Sequence, residues 1–573
     1  MKKSKIAAVA LASLMSVSAM AGCTKTPGAT TAGSTAPGET SGAAPAQIKE
    51  FSAFFAVPAT TEINKDNEIQ KIIADKIGAK CNETWLAGQE ASEAVGVFIA
   101  SGEYPDFING GDAMKALYEA GALIAWDDYI DKYPNIKEFF SDYEWSQFRQ
   151  SDGKIYWMNP FENIYGEDKT TTQNGEAFWI QARVLEWAKY PKIETLDEYF
   201  KVLEDYNAAN PTTHDGKKNI PYTMLCDDWR YFCIENAPQF LDGYPNDGSC
   251  MVNLETKKIM DYNTTPTAKR YFKKLNEEYQ KGIIDTGAFT MKYDDYISKL
   301  STGVVLGMCD QWWDFAYTVN DVFKTQDTEK YGYNYIPLGL TIDKGIENQW
   351  YTSGGTLNVS SGIAITKNCK DIDGAFKFID DLLSQEIHDL RFWGVKDVDY
   401  KVDDNGLFYR TEEMRKNAAD PTYKTKHLCT YSYFPQWSGT SRDGKNAMMP
   451  TEQPSEFKDS LPEPVKKVFD AYKVNTYVEL LHSVNKAGVW FPMYSYSNNM
   501  KTDTAGGTAW TKMGECKHQW LPKVVMAKDF EKTWDEYMKA YAACKPEDFI
   551  AEMQQELDRR IKAYDDFVAS QKK

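Results

Sequence analysis

The sequence predicts an α/β fold, and three observations carry that prediction. Between residues 49 and 121, short apolar runs alternate with stretches whose apolar residues recur at helical spacing, most of them closed by a glycine. Strand, helix, strand, helix in that order is the pattern of a largely parallel sheet with helices packed on it. The chain has 573 residues, enough for at least two domains with sizeable cores, and no internal repeat points to a solenoid.

The elements follow one by one. Residues 49–57 form an apolar and aromatic run that reads as the first strand. A helix starts near residue 67, because Ile69, Ile72, Ile73 and Ile77 fall on one face and Gly78 can close it. A second helix over about 90–101 ends at Gly102, and residues 106–109 read as a strand running into Gly110-Gly111-Asp112. A short helix then reaches Ala120 and stops at Gly121. Further on, Thr195-Leu196-Asp197-Glu198 is a capping box, opening a helix with Leu196, Tyr199, Phe200 and Leu203 on one side. Ala268, Tyr271, Phe272, Leu275 and Tyr279 repeat that spacing before Gly282. Residues 304–308 and 361–366 read as strands, the second followed by a helix over 375–383. The last helix runs from Pro546 with Phe549, Met553, Leu557, Ile561 and Tyr564 as its stripe. Residues 401–520 give no clear period.

The N-terminus is built for export. Lys2, Lys3 and Lys5 precede an apolar run over 6–20, too short to span a bilayer with ease, and then Ala21-Gly22-Cys23. Met20-Ala21-Gly22-Cys23 resembles a bacterial lipobox, in which the cysteine is acylated and becomes the new N-terminus; Met20 stands where Leu is usual. Residues 1–22 are thus expected to be a lipoprotein signal peptide and Cys23 a lipid anchor on the outer face of the cell membrane, its two or three acyl chains giving the multiple signals that stable anchoring needs. Residues 24–47 are almost all Thr, Gly, Ala, Ser and Pro, so 23–48 is expected to be a flexible tether.

Composition narrows the function. The formal charge is -18, and loss of a leader carrying three lysines makes it more negative still. An acidic chain of this kind argues against nucleic-acid partners. The cysteines form no Cys-x-x-Cys and the five histidines do not cluster, so no metal and no cofactor are expected, and most thiols should be free, with a Cys226–Cys233 bridge left open. Aromatic residues reach 14%, including 16 Trp and 35 Tyr, more than a core needs. Sugars stack their C–H faces on such rings; packing in a core or a domain seam also consumes them, so composition alone assigns no single Trp.

With the elements in order, the chain resembles the family 1 extracellular solute-binding proteins of bacterial ABC importers, in their lipoprotein branch. The resemblance lies in Ala100-Ser101-Gly102-Glu103-Tyr104-Pro105-Asp106-Phe107-Ile108, in Ala120-Gly121-Ala122-Leu123-Ile124-Ala125-Trp126-Asp127-Asp128, in residues 194–199, in 303–313 with its paired tryptophans, and in 361–371. It implies a two-lobe periplasmic-binding-protein-like fold with the ligand between the lobes. Lobe 1 would comprise 49–160 plus 352–440, and lobe 2 161–351 plus 441–573. It implies a monomer that captures a carbohydrate, most simply an oligosaccharide, and delivers it to a permease. The rival reading is a secreted glycoside-active enzyme. That needs two carboxyl groups across a sugar bond, and 83 acidic residues always offer a pair, so their presence decides nothing. No nucleophile elbow, phosphate loop or His-Glu-x-x-His motif is present, and no catalytic residue is assigned. The acidic stretch at 397–405 fails the calcium-loop spacing, since Lys401 stands at the first ligand position before Gly406.

Candidate ligand contacts follow from where strands end, since ligands in open α/β sheets sit beyond the carboxyl ends. Asn109, Gly110 and Asp112 lie there after the strand at 106–109, and Trp85 ends another. Trp312 and Trp313 match the family's cleft tryptophans, one to face ligand and one to pack inward. Asp228, Trp229 and Arg230 combine an aromatic plate with charged groups. Tyr351 and Trp437 sit near the expected crossings between lobes.

Overall fold

The computed structural model describes residues 48–571, apart from 59–65, 88–89, 162, 354–356, 485 and 499, and apart from the side chains of 228 and 229. The leader, Cys23 and the tether up to residue 47 lie outside the described residues. The first strands are β1 (Lys49–Pro58), β2 (Ala79–Leu86), β3 (Phe107–Asn109), β4 (Asn163–Tyr165), β5 (Glu176–Gln181), β6 (Ile220–Tyr222) and β7 (Met251–Asn253). There follow β8 (Lys258–Met260), β9 (Val305–Gln311), β10 (Tyr335–Leu338), β11 (Ala364–Ile365), β12 (Lys401–Val402), β13 (Phe408–Tyr409) and β14 (Trp437–Gly439).

Two four-stranded sheets organise the chain, one in the order β11-β3-β1-β2 and one in the order β10-β5-β9-β6. In the first, β1 pairs in parallel with β2 and β3, while β11 opposes β3. In the second, β6 runs with β9, and β5 opposes both β9 and β10. Each sheet therefore has one reversed strand. In both it is the strand by which the chain arrives from the other sheet, β5 being the first of its sheet after β3 and β11 following β10. A segment delivered to the carboxyl ends of a parallel set can join it only by running backwards. That is why the expected parallel pattern is interrupted once in each lobe.

Local chemistry sets the helix ends. Asn67 Oδ1 accepts the Gln70 N–H at 2.9 Å to open helix Glu68–Ile77, which Gly78 closes at φ 71°. The Thr195 capping box is formed, with Thr195 Oγ1 accepting from Glu198 N and Glu198 Oε2 from Thr195 N.

One core gathers Phe51, Phe55, Phe107, Trp126, Phe376 and Phe378 around the first sheet. The second sheet is buried on both faces. Phe178 and Ile180 of β5 enter one cluster with Tyr199, Leu306 and Trp350, and Ala177 and Trp179 enter another with Met308 and Phe315, as strand alternation requires. The helix Pro546–Gln571 buries Phe549, Met553 and Leu557 in the second core. Farther along it, Tyr564 and Phe567 meet Tyr143 of helix Asp142–Gln147, with ring centroids at 5.2 and 5.4 Å.

Along the connecting segments outside the two sheets, β4 and β14 pair in parallel, Thr171 Oγ1 donates to the Thr451 carbonyl at 2.6 Å, and the Tyr351 hydroxyl donates to Asp168 Oδ2 at 2.5 Å. The loop 430–435 is fixed by Arg391, 1% exposed. Its guanidinium donates to five carbonyls, those of Leu382, Thr430, Tyr431, Phe434 and Pro435. The cysteines from Cys81 to Cys544 are all free, Cys226 and Cys233 included, and only Cys544 is not buried. Among the described residues no helix is long and apolar enough to cross a membrane.

Candidate functional site

The carboxyl ends of the first sheet bring Phe55, Trp85 and Asn109 to one level, because Phe55 is paired in register with both others. The Trp85 ring, half-buried, lies 4.9 Å from Phe55 and 5.2 Å from Tyr433, and Phe161 stands 5.1 Å from Tyr433. Asn109, by contrast, is 7% exposed, and its Oδ1 accepts the Gly111 N–H at 3.0 Å. Gly110 is buried beneath the turn, where a Cβ would come within 2.8 Å of Leu117 Cδ1. Both are taken up in closing the turn, and Asp112 is the exposed side chain it presents.

In the second sheet the corresponding ends of β6 and β9 place 227–232 beside 311–314. Arg230 Nε donates to Asp314 Oδ1 at 2.9 Å, and its guanidinium lies 3.9 Å from the centre of the Tyr293 ring. The Tyr293 hydroxyl donates to the Asp314 carbonyl at 2.6 Å, and Lys292 pairs with Asp227 at 2.7 Å. Trp313 is 36% exposed and approaches Phe232 at 5.9 Å, whereas Trp312 packs inward on Trp179 at 5.4 Å and Tyr477 at 5.7 Å. Asp228 and Trp229 open a short 3-10 helix, and their side chains lie outside the described ones.

The last two candidates sit at the crossings. Tyr351 is half-buried and tied to Asp168. Trp437 is 2% exposed between Phe139 and Tyr165, so it has no face left for a ligand; it belongs to the core that its β-ladder requires.

Charges at these ends are held in defined states. Burial works against the Asp168 carboxylate, yet hydrogen bonds from Ser353, Tyr351 and Thr170 keep its pKa below the usual range. The Lys292 ammonium does the same for Asp227. Below the rim, burial pushes Glu176 up to about 8. Phe232, Tyr293 and Asp314 were not singled out from the sequence. Nothing in the sequence marks Tyr293, which reaches the rim from a helix start far from the strands. Phe55 had a signal, as the last aromatic residue of the first strand.

No family model matches the chain. Over 220 residues it is 24% identical to the fructooligosaccharide ABC transporter substrate-binding protein FusA of Streptococcus pneumoniae, a match taking in 35% of this chain and 38% of that protein's length. Among solved structures it resembles an HMO-binding ABC-transporter-associated solute-binding protein of Bifidobacterium longum infantis, with a TM-score of 0.58 at 15% identity, covering 89% of this chain and 98% of that one. It equally resembles the S. pneumoniae FusA EF-hand mutant in complex with fructo-nystose, with a TM-score of 0.58 at 18% identity, covering 89% and 99%. The fold is that of the extracellular solute-binding proteins.

Within this solute-binding-protein fold, one loop tests whether a calcium ion fits. Lys401 occupies the first ligand position ahead of Asp403, Asn405 and Gly406, with Glu412 at the last. Asp403 Oδ1 is taken by the N–H groups of Asn405 and Leu407 at 2.8 Å, and Lys445 Nζ donates to the Asn405 carbonyl at 3.0 Å. The first ligand position holds a lysine in place of an oxygen donor, and the Asp403 oxygen that would face a cation faces backbone donors instead. A calcium ion does not fit this loop.

Proposed function

We propose that this protein is a membrane-anchored, extracellular binding protein that captures a carbohydrate and hands it to an ABC permease. The observation that carries the reading is the pair of aromatic rims at the carboxyl ends of the two sheets: Trp85 with Tyr433 and Phe161 on one lobe, Trp313 with Phe232 and Tyr293 on the other. Rings supply stacking surfaces for sugar faces, and Asp112, Arg230, Asp227 and Lys292 supply the hydrogen-bonding groups beside them. Lobe 1 is taken as 49–160 with 352–440 and lobe 2 as 161–351 with 441–573, hinged at β4, β14 and the Asp168–Tyr351 bond. Asn109 and Gly110 shape the floor. The relatives named above are binding proteins for oligosaccharides, which favours an oligosaccharide over a monosaccharide and a binder over an enzyme.

A thermal-shift screen across fructo-, malto-, uronate-containing and milk-type oligosaccharides tests it, since a ligand selective for the native state raises the melting temperature. At least one glycan should raise it without being cleaved over hours. Release of shorter sugars from that glycan would replace the reading with the enzyme. Cys23 is proposed as the acylated N-terminus. Cys23→Ser should move the protein from the membrane to the medium, and an unmodified N-terminus elsewhere on membrane-bound protein would exclude the anchor.

A further inference from the structure

We propose that Cys233, Asp310 and Asp314 form a binding site for a thiophilic divalent cation such as zinc, built into the floor beneath Trp313. Cys233 Sγ and one carboxylate oxygen from each aspartate all lie within 4.8 Å of one another, and all three residues are buried. A second observation points to an occupant. Asp314 is 3% exposed, its Oδ1 is held by Arg230, and its Oδ2 is buried with no hydrogen-bond partner among the described residues. Arg230 balances the charge of the carboxylate, but a buried oxygen without a hydrogen bond is costly, and a cation held by the three side chains would satisfy it.

The geometry is close to what zinc requires. With Zn–S near 2.3 Å and Zn–O near 2.1 Å, tetrahedral ligand atoms stand about 3.5 Å apart. Cys233 Sγ already lies 3.3 Å from Asp310 Oδ1, and an Asp314 oxygen lies within 4.8 Å of both ligand atoms of the pair. Asp310 is braced from outside the group, its Oδ2 taking the Tyr296 hydroxyl at 2.6 Å, the kind of outer hydrogen bond that orients a ligating carboxylate. Binding would break the Cys233 S–H bond and form a Zn–S bond. The proton leaves to solvent, with the Asp310 carboxylate that now accepts that S–H as its first stop. Three protein ligands leave a fourth position open.

The sequence hides this site. Its ligands come from the helix Phe232–Glu235, the end of β9 and the first turn of the helix Trp312–Thr325; the two aspartates stand four residues apart, but Cys233 lies 77 residues before Asp310 and shares no motif with them. A cation there would pin those elements together under the exposed indole.

Cobalt serves as the probe, on protein stripped with chelator and carrying Cys23→Ser and Cys544→Ser to remove the anchoring thiol and the less buried one. Titration should produce a cobalt–thiolate charge-transfer band that saturates at one equivalent and is displaced by zinc. Cys233→Ser should abolish the band, and Asp314→Asn, nearly isosteric, should weaken zinc binding at least about tenfold. Absence of the band in the protein with Cys233 intact, where folding is not in question, would overturn the proposal. So would a full band in the Cys233→Ser variant.

Discussion

Arg391 offers the sharpest test of how the first lobe holds its rim. Its five N–H groups meet five carbonyls, four of them in the loop 430–435 that carries Tyr433 and the fifth at Leu382. Burial lowers its pKa to about 10, so it remains a cation at neutral pH. Arg391→Lys keeps the charge but offers three donors on one nitrogen, leaving at least two carbonyls buried without partners. At about 1–3 kcal/mol for each, the cost is about 4 kcal/mol. With a urea slope of roughly 2–3 kcal/mol per M for a lobe of this size, the midpoint of first-lobe unfolding should fall by about 1.5 M. Urea titration followed by near-ultraviolet circular dichroism reads it, since the aromatic rings packed on the loop report its order. A midpoint shift below about 0.3 M, with the slope unchanged, would refute the account, because it would mean that the five carbonyls find other partners.

Three further outcomes follow from the structure. His427 is clamped between Asp399 Oδ2 at 2.9 Å and Glu68 Oε2 at 2.8 Å, with the Tyr423 hydroxyl on the other oxygen of Asp399. Burial opposes its charge, but the two carboxylates outweigh that and raise its pKa. The stability it contributes is therefore full below the unfolded value near pH 6.5 and is lost as pH rises through the higher folded value; melting curves from about pH 5.5 to 8.5 should show this decline in the parent and not in His427→Gln. Trp312→Ala should cost about 3 kcal/mol of stability, while Trp313→Ala should leave the melting temperature nearly unchanged and weaken glycan binding; loss of neither property on either substitution would remove the pair from the site. A glycan that binds should reduce the radius of gyration in small-angle scattering, because only a ligand with higher affinity for a closed form shifts the population; tight binding with no change would point to a rigid binder.

The secondary structure was legible wherever an element was long enough to declare a period. The isoleucine stripe of 69–77, the Thr195 capping box and the C-terminal helix all appear as the spacing requires. Residues 401–520 were not legible, because most of their helices run only four to ten residues, as in Pro421–Lys426, Tyr477–Leu481 and Tyr494–Ser497. At that length a helix is fixed by what it packs on rather than by its own repeat. The reversed strands were hidden for a related reason, since strand direction is decided by where a crossing segment lands. At the rims, strand ends could be read, which found Trp85 and the paired tryptophans. Partners brought in from other helices, such as Phe232 and Tyr293, could not.

The contact of Tyr143 with Tyr564 and Phe567 has a mechanical consequence. With the lobes divided as proposed above, the three chain crossings would leave one lobe free to swing and also to twist against the other. In that division the ring contact is a fourth tie, made by side chains between helices assigned to different lobes, and it removes that latitude. Any rotation of the lobes must either turn about these rings as a fulcrum or pull them apart as a clasp. In the first case the swing is confined to one axis; in the second, the exposed faces of three aromatic rings must be wetted before the lobes can separate, which gives the molecule two discrete arrangements in place of a continuous range.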